Sequence, residues 1–434
     1  MQHSRAVLRS ALAAVACISG PVLAQESETT LYGTLNVDLE RVDAHGATAA
    51  GTLPPGSLGQ VPTGIDIPGR LRVTQNSSNF GIRGTERLNP NLVAWFQVES
   101  AVAVDSGGSN IASRNTGVGM KGGWGNLFVG QWDTPYKTLS GAVDPMYFTG
   151  ITYTGALIGT PGFGVGPVTV GAPATSGDGK TFAGAANASF ERRQGNSIQY
   201  WTPSFAGTTM RFAYSVDETR TSKSPTVTQV DPHILSASIE YQLPIPVLYV
   251  AYAYESHSDY FGIDALVPAS QATLVSNSAG ATAASSRDRG DKLIARFKIP
   301  GTQVGFMAER LRYGKSQDAS LPAGWFSHYS RNAYAVTLVQ SVGQSGTLRA
   351  LYGKARDGSC ERFDGSACDT KGLGARQVSL GYSYSFSRRT DMYAFYTNVA
   401  NESRGSYQFA NAAGLGAAPG STSVGYVLGM RHIF

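Results

Sequence analysis

The chain has 434 residues, 35 Lys and Arg against 30 Asp and Glu, and a formal net charge of +5. Gly fills 52 positions and Tyr and Phe another 21 and 18, while Leu-, Glu- and Lys-rich runs are missing, so the composition is that of strands and turns. It excludes a helical membrane protein, and basic residues scattered without a motif exclude a nucleic-acid-binding surface.

Residues 1–24 have the three parts of a secretory signal. Arg5 and Arg9 form the basic start, Ala11 to Ile18 the apolar run, and Val22-Leu23-Ala24 the small-residue cleavage site, which starts the mature chain at Gln25. The apolar run is shorter than the ~20 residues a helical span needs. A lipid-modified Cys17 is the competing reading, and Ala14 in place of a large aliphatic residue three positions earlier argues against it.

Beyond the signal, segments of period-two alternation recur with a short–long rhythm of connections. They fall at 30–39, 78–86, 92–104, 117–121, 127–132, 197–204, 208–217 and 234–243. The series continues at 247–255, 292–299, 303–313, 329–342, 347–356, 377–386, 392–399 and 423–434. Turns such as Ala206-Gly207, Pro244-Ile245-Pro246 and Gly343-Gln344-Ser345-Gly346 carry hairpin chemistry. The intervening loops are far longer, above all that at 133–196. Short turns at one end and long loops at the other describe an all-β, sixteen-stranded antiparallel transmembrane barrel occupying 25–434, with no further domain boundary.

The last strand shows the alternation most clearly. Val424, Tyr426, Leu428, Met430, His432 and Phe434 share one face, while Gly425, Val427, Gly429 and Arg431 share the other. A large apolar face ending on an aromatic suits a lipid-facing strand whose edge is paired. The same parity turns Arg83, Lys121, Arg211, Lys292, Arg296, Lys298, Arg349 and Arg431 inward, against Asp38, Glu40, Glu99, Glu240 and Glu255. Charges inside a wet lumen cost far less than charges facing lipid.

Thr30-Leu31-Tyr32-Gly33, Ser78-Asn79-Phe80-Gly81-Ile82-Arg83-Gly84, Phe96-Gln97-Val98-Glu99, Val129-Gly130-Gln131-Trp132-Asp133 and Gly429-Met430-Arg431-His432-Ile433-Phe434 stand in an order that resembles the Gram-negative general porins of Bordetella, Burkholderia and Neisseria. The resemblance runs the length of the mature chain. It implies a homotrimer of barrels in outer-membrane lipid and lipopolysaccharide, passing small ions and solutes. It also implies that the third long loop, 133–196, folds inward as a constriction, and that Tyr426, Leu428, Met430 and Phe434 are read by the outer-membrane assembly machinery. The constriction residues expected on that basis are Arg83, Glu99, Lys121, Asp133, Asp144, Arg192 and Arg193. Where many family members carry an arginine after the pore-loop strand's Val-Gly, this chain has Gln131, which limits the expected anion preference to a modest one.

Cys360 and Cys368 flank a Gly- and Asp-containing loop and, in an exported protein, are expected to form a local disulfide. Chemistry other than transport finds little footing. Gly381-Tyr382-Ser383-Tyr384-Ser385 lacks the final Gly of a nucleophile elbow, and Gly162-Phe163-Gly164-Val165-Gly166 lacks the Lys of a phosphate cradle. The six histidines show no metal-ligand spacing, so neither an enzyme nor a cofactor is expected. A substrate-specific porin, or a barrel serving as hydrolase or adhesin, are the alternatives to a diffusion channel.

Overall fold

The computed structural model describes residues 27–147, 150–162, 188–216, 231–243, 247–263, 285–316, 324–409, 415–416 and 418–434. The signal expected at 1–24, the turn expected at 244–246 and the glycine-rich stretch after Gly162 lie outside the described residues.

In chain order the strand segments are β1 (Ser27–His45), β2 (Ile67–Gln75), β3 (Asn79–Asn89), β4 (Leu92–Val102), β5 (Ser109–Asn110), β6 (Thr116–Gly122) and β7 (Gly125–Asp133). They continue as β8 (Arg193–Trp201), β9 (Thr208–Val216), β10 (His233–Gln242), β11 (Leu248–Ser258), β12 (Arg287–Ile299) and β13 (Thr302–Gly314). The last are β14 (Phe326–Val342), β15 (Gly346–Ala355), β16 (Ser359–Arg362), β17 (Ala375–Ser385), β18 (Thr390–Asn401) and β19 (Thr422–Ile433). One short helix, α1 (Pro135–Ser140), follows β7.

Three segments extend their neighbours rather than adding staves. β2 and β3 both pair with β1, β5 and β6 with β4, and β15 and β16 with β14, so the wall has sixteen strands. Neighbours pair antiparallel, and β19 returns to β1 with Asp38 opposite Gly429 and Leu39 opposite Leu428. The sheet is therefore closed, and no strand edge is left without a partner in lipid. Phe434 seals the seam. Its backbone exchanges hydrogen bonds with Gly33 (both 3.1 Å), and a Cβ on Gly33 would overlap the Phe434 ring.

Side-chain parity sorts the two faces. Tyr426, Leu428 and Met430 are exposed outward and Ser423, Gly425, Val427 and Gly429 are buried inward. Leu31, Leu35 and Leu39 on β1, Phe80 and Ile82 on β3, Leu293 and Phe297 on β12 and Leu380 and Tyr382 on β17 continue the outward apolar band. The buried core lies inside the barrel. There Tyr136, Leu139, Val143, Ile151, Leu157, Ile158 and Phe190 of the connection after β7 pack with Ile294, Met307, Leu311 and Tyr313 of the wall.

The wall departs from the sequence reading at one end. The stretch expected to be loop up to about residue 76 contains β2, whose Leu71 and Val73 face out while Arg72 reaches Glu40 (2.6 Å). Pro68 and Gly69 hide that alternation in the sequence. β11, β12 and β14 also run further than expected towards the long connections, to Ser258 and from Arg287 and Phe326. On β12 the extension turns Arg287 and Arg289 outward, and at the added ends of β11 and β14 only His328 is exposed, so the apolar alternation that marks a lipid-facing strand stops before the hydrogen-bonded ladder does.

Candidate pore lining

Period two aims Arg83, Glu99 and Tyr32 at the same inner wall. The Arg83 guanidinium lies 5.1 Å from the centre of the Tyr32 ring, and the Tyr32 hydroxyl donates to Glu99 (3.1 Å). Arg114 donates to the other Glu99 oxygen (2.6 Å). The next residue, Asn115, donates to Asp133 (3.2 Å) and accepts from Arg193 (2.7 Å). Asp133 also pairs with Arg193 (3.2 Å) and with Lys137, one helical turn on (2.9 Å). Arg83, Glu99, Asp133 and Arg193 thus belong to one polar network across β3, β4, β7 and β8.

Three other expected residues lie apart from it. Lys121 is one position from the Gly122–Gly125 turn, at the short-turn mouth with Glu28, Thr30 and Arg83. Arg192 is buried, its guanidinium 5.0 Å from the Tyr260 ring centre, so it faces protein rather than open lumen. Asp144 sits deeper in the connection. Its neighbours' carbonyls are held by wall cations: Arg296 donates to Ala142 (3.2 Å) and Arg349 to Pro145 (2.6 Å).

After β7 the Thr134 side chain caps α1, accepting from the Lys137 N–H (3.3 Å), with Pro135 pre-set for the first turn. The chain then meets two carboxylates. Glu191 accepts from Lys292 (2.6 Å), Tyr153 (2.8 Å) and Ser140, all buried. Burial, then the Glu191 charge, pushes the Tyr153 phenol well above its usual range, which keeps it a donor. Glu309 on β13 accepts from Tyr136 (2.7 Å), the Gly159 N–H (2.8 Å) and Arg331 (3.0 Å). Arg331 in turn donates to the carbonyls of Leu157 (2.9 Å) and Thr160. Lys292, Glu309 and Arg331 have fully buried side chains, so each depends on its partners: breaking such a pair from one side costs ~3–5 kcal/mol.

Further along the connection, the Tyr147 ring lies 4.1 Å from the Arg349 guanidinium and 3.8 Å from that of Arg431, which is itself paired with Asp391 (2.6 Å). Sequence reasoning missed Tyr147, Glu191, Glu309 and Arg331. It also missed an inward aromatic cluster of Trp95, Phe128, Trp132 and Trp201, with ring centres 5.0–6.2 Å apart. The same parity that placed Arg83 places Trp95, Phe128 and Glu309. No pattern within the connection announces Tyr147. Cys360 and Cys368 are joined as a disulfide, with Cα atoms 5.7 Å apart, beyond the long-connection end of β15.

A closed barrel with apolar residues outward and ion-paired charges inward is a channel protein of an outer membrane. The Gram-negative porin family matches residues 11–404, and the chain belongs to that family. It is 26% identical over 427 residues to outer membrane porin protein 32 of Delftia acidovorans, covering 97% of this chain and 98% of that protein. Major outer membrane protein P.IB of Neisseria meningitidis serogroup B is 31% identical over 140 residues, 32% of this chain and 38% of that one. Among solved structures, the anion-selective porin from Comamonas acidovorans superposes with a TM-score of 0.64 at 20% identity, over 94% of this chain and 100% of that one. OmpT of Vibrio cholerae gives 0.56 at 14% identity, over 95% and 99%. The protein is an outer-membrane channel for passive diffusion and not an enzyme.

Proposed function

We propose that this porin passes small hydrophilic solutes with a modest anion preference, and that the 133–196 connection narrows its lumen. The observation that carries the preference is an imbalance of pairing. Glu40, Glu99, Asp133, Glu240, Glu309 and Asp391 each hold a basic partner. Arg83, Arg296 and Arg349 make no ion pair among the described residues; they rest on Tyr32, Tyr249 and Tyr147 instead. Paired charges cancel at a distance, so the unpaired cations set the field that a passing ion meets. Similarity to a porin described as anion-selective agrees with this sign. Gln131 donates to the carbonyls of Ala112 (3.3 Å) and Arg114 (3.2 Å), adding no charge, which keeps the preference modest.

In this reading the cleavable signal at 1–24 directs export, Tyr426, Leu428, Met430 and Phe434 present the assembly signal, and three copies associate in the membrane. Liposome swelling with sugars of increasing size tests the channel. Entry should slow steadily with solute size; equal exclusion of every solute would overturn it.

A further inference from the structure

The lumen-facing cations differ in whether their donors are already used. Arg296 donates to the Ala142 carbonyl (3.2 Å), Arg349 to the Pro145 carbonyl and the Ser383 hydroxyl (2.6 and 3.0 Å), and Arg211 pairs with Glu240. Arg83 and Lys121 keep theirs. Both are exposed, and neither makes an ion pair or a hydrogen bond with another described residue. Arg83 rests only on the Tyr32 ring, 5.1 Å from its centre. Inside a closed barrel, donors without a protein acceptor are turned towards whatever passes.

The register sets these two cations around one indole. On the inner face Thr30, Arg83 and Gln97 form one cross-strand row, and Glu28, Thr85 and Trp95 form the next row towards the short turns. Lys121 stands on β6 one inward position beyond Gly119, the partner of Trp95. Such rows lie about 7 Å apart along a strand, within reach of a Lys or Arg side chain. Arg83, Lys121, Trp95 and Glu28 line one cavity of about 220 Å³ at the short-turn mouth. The Trp95 N–H is already given to Asn126 (2.7 Å), so the indole offers a solute its ring and not a donor. Glu28 is exposed and makes no ion pair among the described residues. Two cations against this one carboxylate leave the cavity with a net positive charge.

We propose that this cavity is a subsite for aromatic monocarboxylates, which it holds on their way through the pore. The inference rests on the porin reading and names a solute class for it. A flat apolar ring stacks on Trp95 while its carboxylate is met by Arg83 and Lys121, so the solute's apolar area and its charge are satisfied together. Glu28 repels a second negative charge, which makes a dicarboxylate on the same ring the poorer occupant. Acetate lacks the ring, and benzyl alcohol lacks the charge. A pore conducts only if it lets its solute go, and a few exposed contacts give the weak binding that this requires.

The test is saturation-transfer NMR of benzoate with the full-length barrel in a neutral detergent, beside acetate, benzyl alcohol and terephthalate. Benzoate should bind saturably, on the order of tenfold more tightly than the other three. Lys121→Gln and Trp95→Leu should each weaken it ~fivefold, and Lys121→Arg and Trp95→Phe far less. Glu28→Gln should bring terephthalate level with benzoate. Acetate meets the same field without a ring, so Trp95→Leu should leave acetate unmoved, whereas a purely structural tryptophan would shift both. If Trp95→Leu does not fold, Lys121→Gln and Glu28→Gln, both at exposed positions, decide the matter. Benzoate no tighter than acetate, terephthalate tighter than benzoate in wild type, or benzoate binding unchanged in Lys121→Gln would overturn the inference. KCl current across a planar bilayer separates the two readings. Benzoate should lower it saturably in wild type and less in Lys121→Gln, and a wild type that carries no current would sink the porin reading alone, because the NMR titration still decides the binding.

Discussion

The two faces of β12 carry the same kind of residue to opposite ends. Inward, Lys292 is fully buried and is met by Glu191, Ser140 and the Tyr136 carbonyl. Outward and three residues earlier, Arg289 is exposed and faces Arg312 across the ladder. The inner charge has lost its water, so the protein had to supply its partners, and those partners tie the connection after β7 to the wall. The outer charge stays in contact with the surroundings and makes no ion pair among the described residues. On β12, parity thus separates a charge that anchors the connection after β7, Lys292, from one that faces the surroundings, Arg289.

The comparison breaks most severely at Glu309. Glu309→Ala removes the acceptor shared by Tyr136, Gly159 and Arg331 and strands a buried guanidinium, a loss of ~3–5 kcal/mol in holding the connection. Limited proteolysis should cut within residues 134–192 far faster than in wild type, while the heat-modifiable barrel persists. An unchanged digestion pattern would show that apolar packing alone holds the connection.

Deleting Phe434 comes next. It removes both hydrogen bonds to Gly33 and the ring that fills the space a Cβ would occupy, so folded barrel in the outer-membrane fraction should fall severalfold. Gly33→Val, which displaces the same ring without shortening the chain, should give a milder fall. Full yield from both would dissociate the seam from assembly.

A smaller shift is expected at Arg296. Arg296→Glu places a carboxylate where an unpaired cation lay over Tyr249, and the reversal potential across a KCl gradient should move towards cations. If it does not move, Arg296 does not face the ion path.

Reduction of Cys360–Cys368 should have the least effect. The loop closure contributes ~2–3 kcal/mol locally in the chain-entropy account, at a place where Asp369 bridges to Ser57 outside the named strands. The outer loops should become easier to cleave, with the barrel's thermal transition nearly unmoved. A large drop in that transition would place the disulfide in the folding core.

Wherever lipid imposed a period of two, the sequence was legible: Tyr426, Leu428 and Met430 on one side of β19 and Arg431 on the other follow from it directly. The same rule placed Arg83, Lys292 and Arg349 inward. It failed where lipid stops imposing it. β2, broken by Pro68 and Gly69, was read as loop, and the ends of β12 before Lys292 and of β14 before Tyr329 were left in the long connections. Which inner charges find each other was not legible either. Glu309 and Tyr136 are joined by the path of a connection with no repeating pattern, and neighbours such as Arg192 and Arg193 end in different surroundings, one against Tyr260 and one on Asp133.

The most direct test of the account is the reversal potential of the wild-type channel in a planar bilayer, measured across a roughly tenfold KCl gradient at low ionic strength, where screening is weakest. With most wall acids already paired and Arg83, Arg296 and Arg349 unpaired, the potential should take the sign of anion permeation and shrink as both salt concentrations are raised. A cation-selective wild type would contradict the account, because it would mean that carboxylates such as Asp144, and not the unpaired wall cations, set the field in the pore.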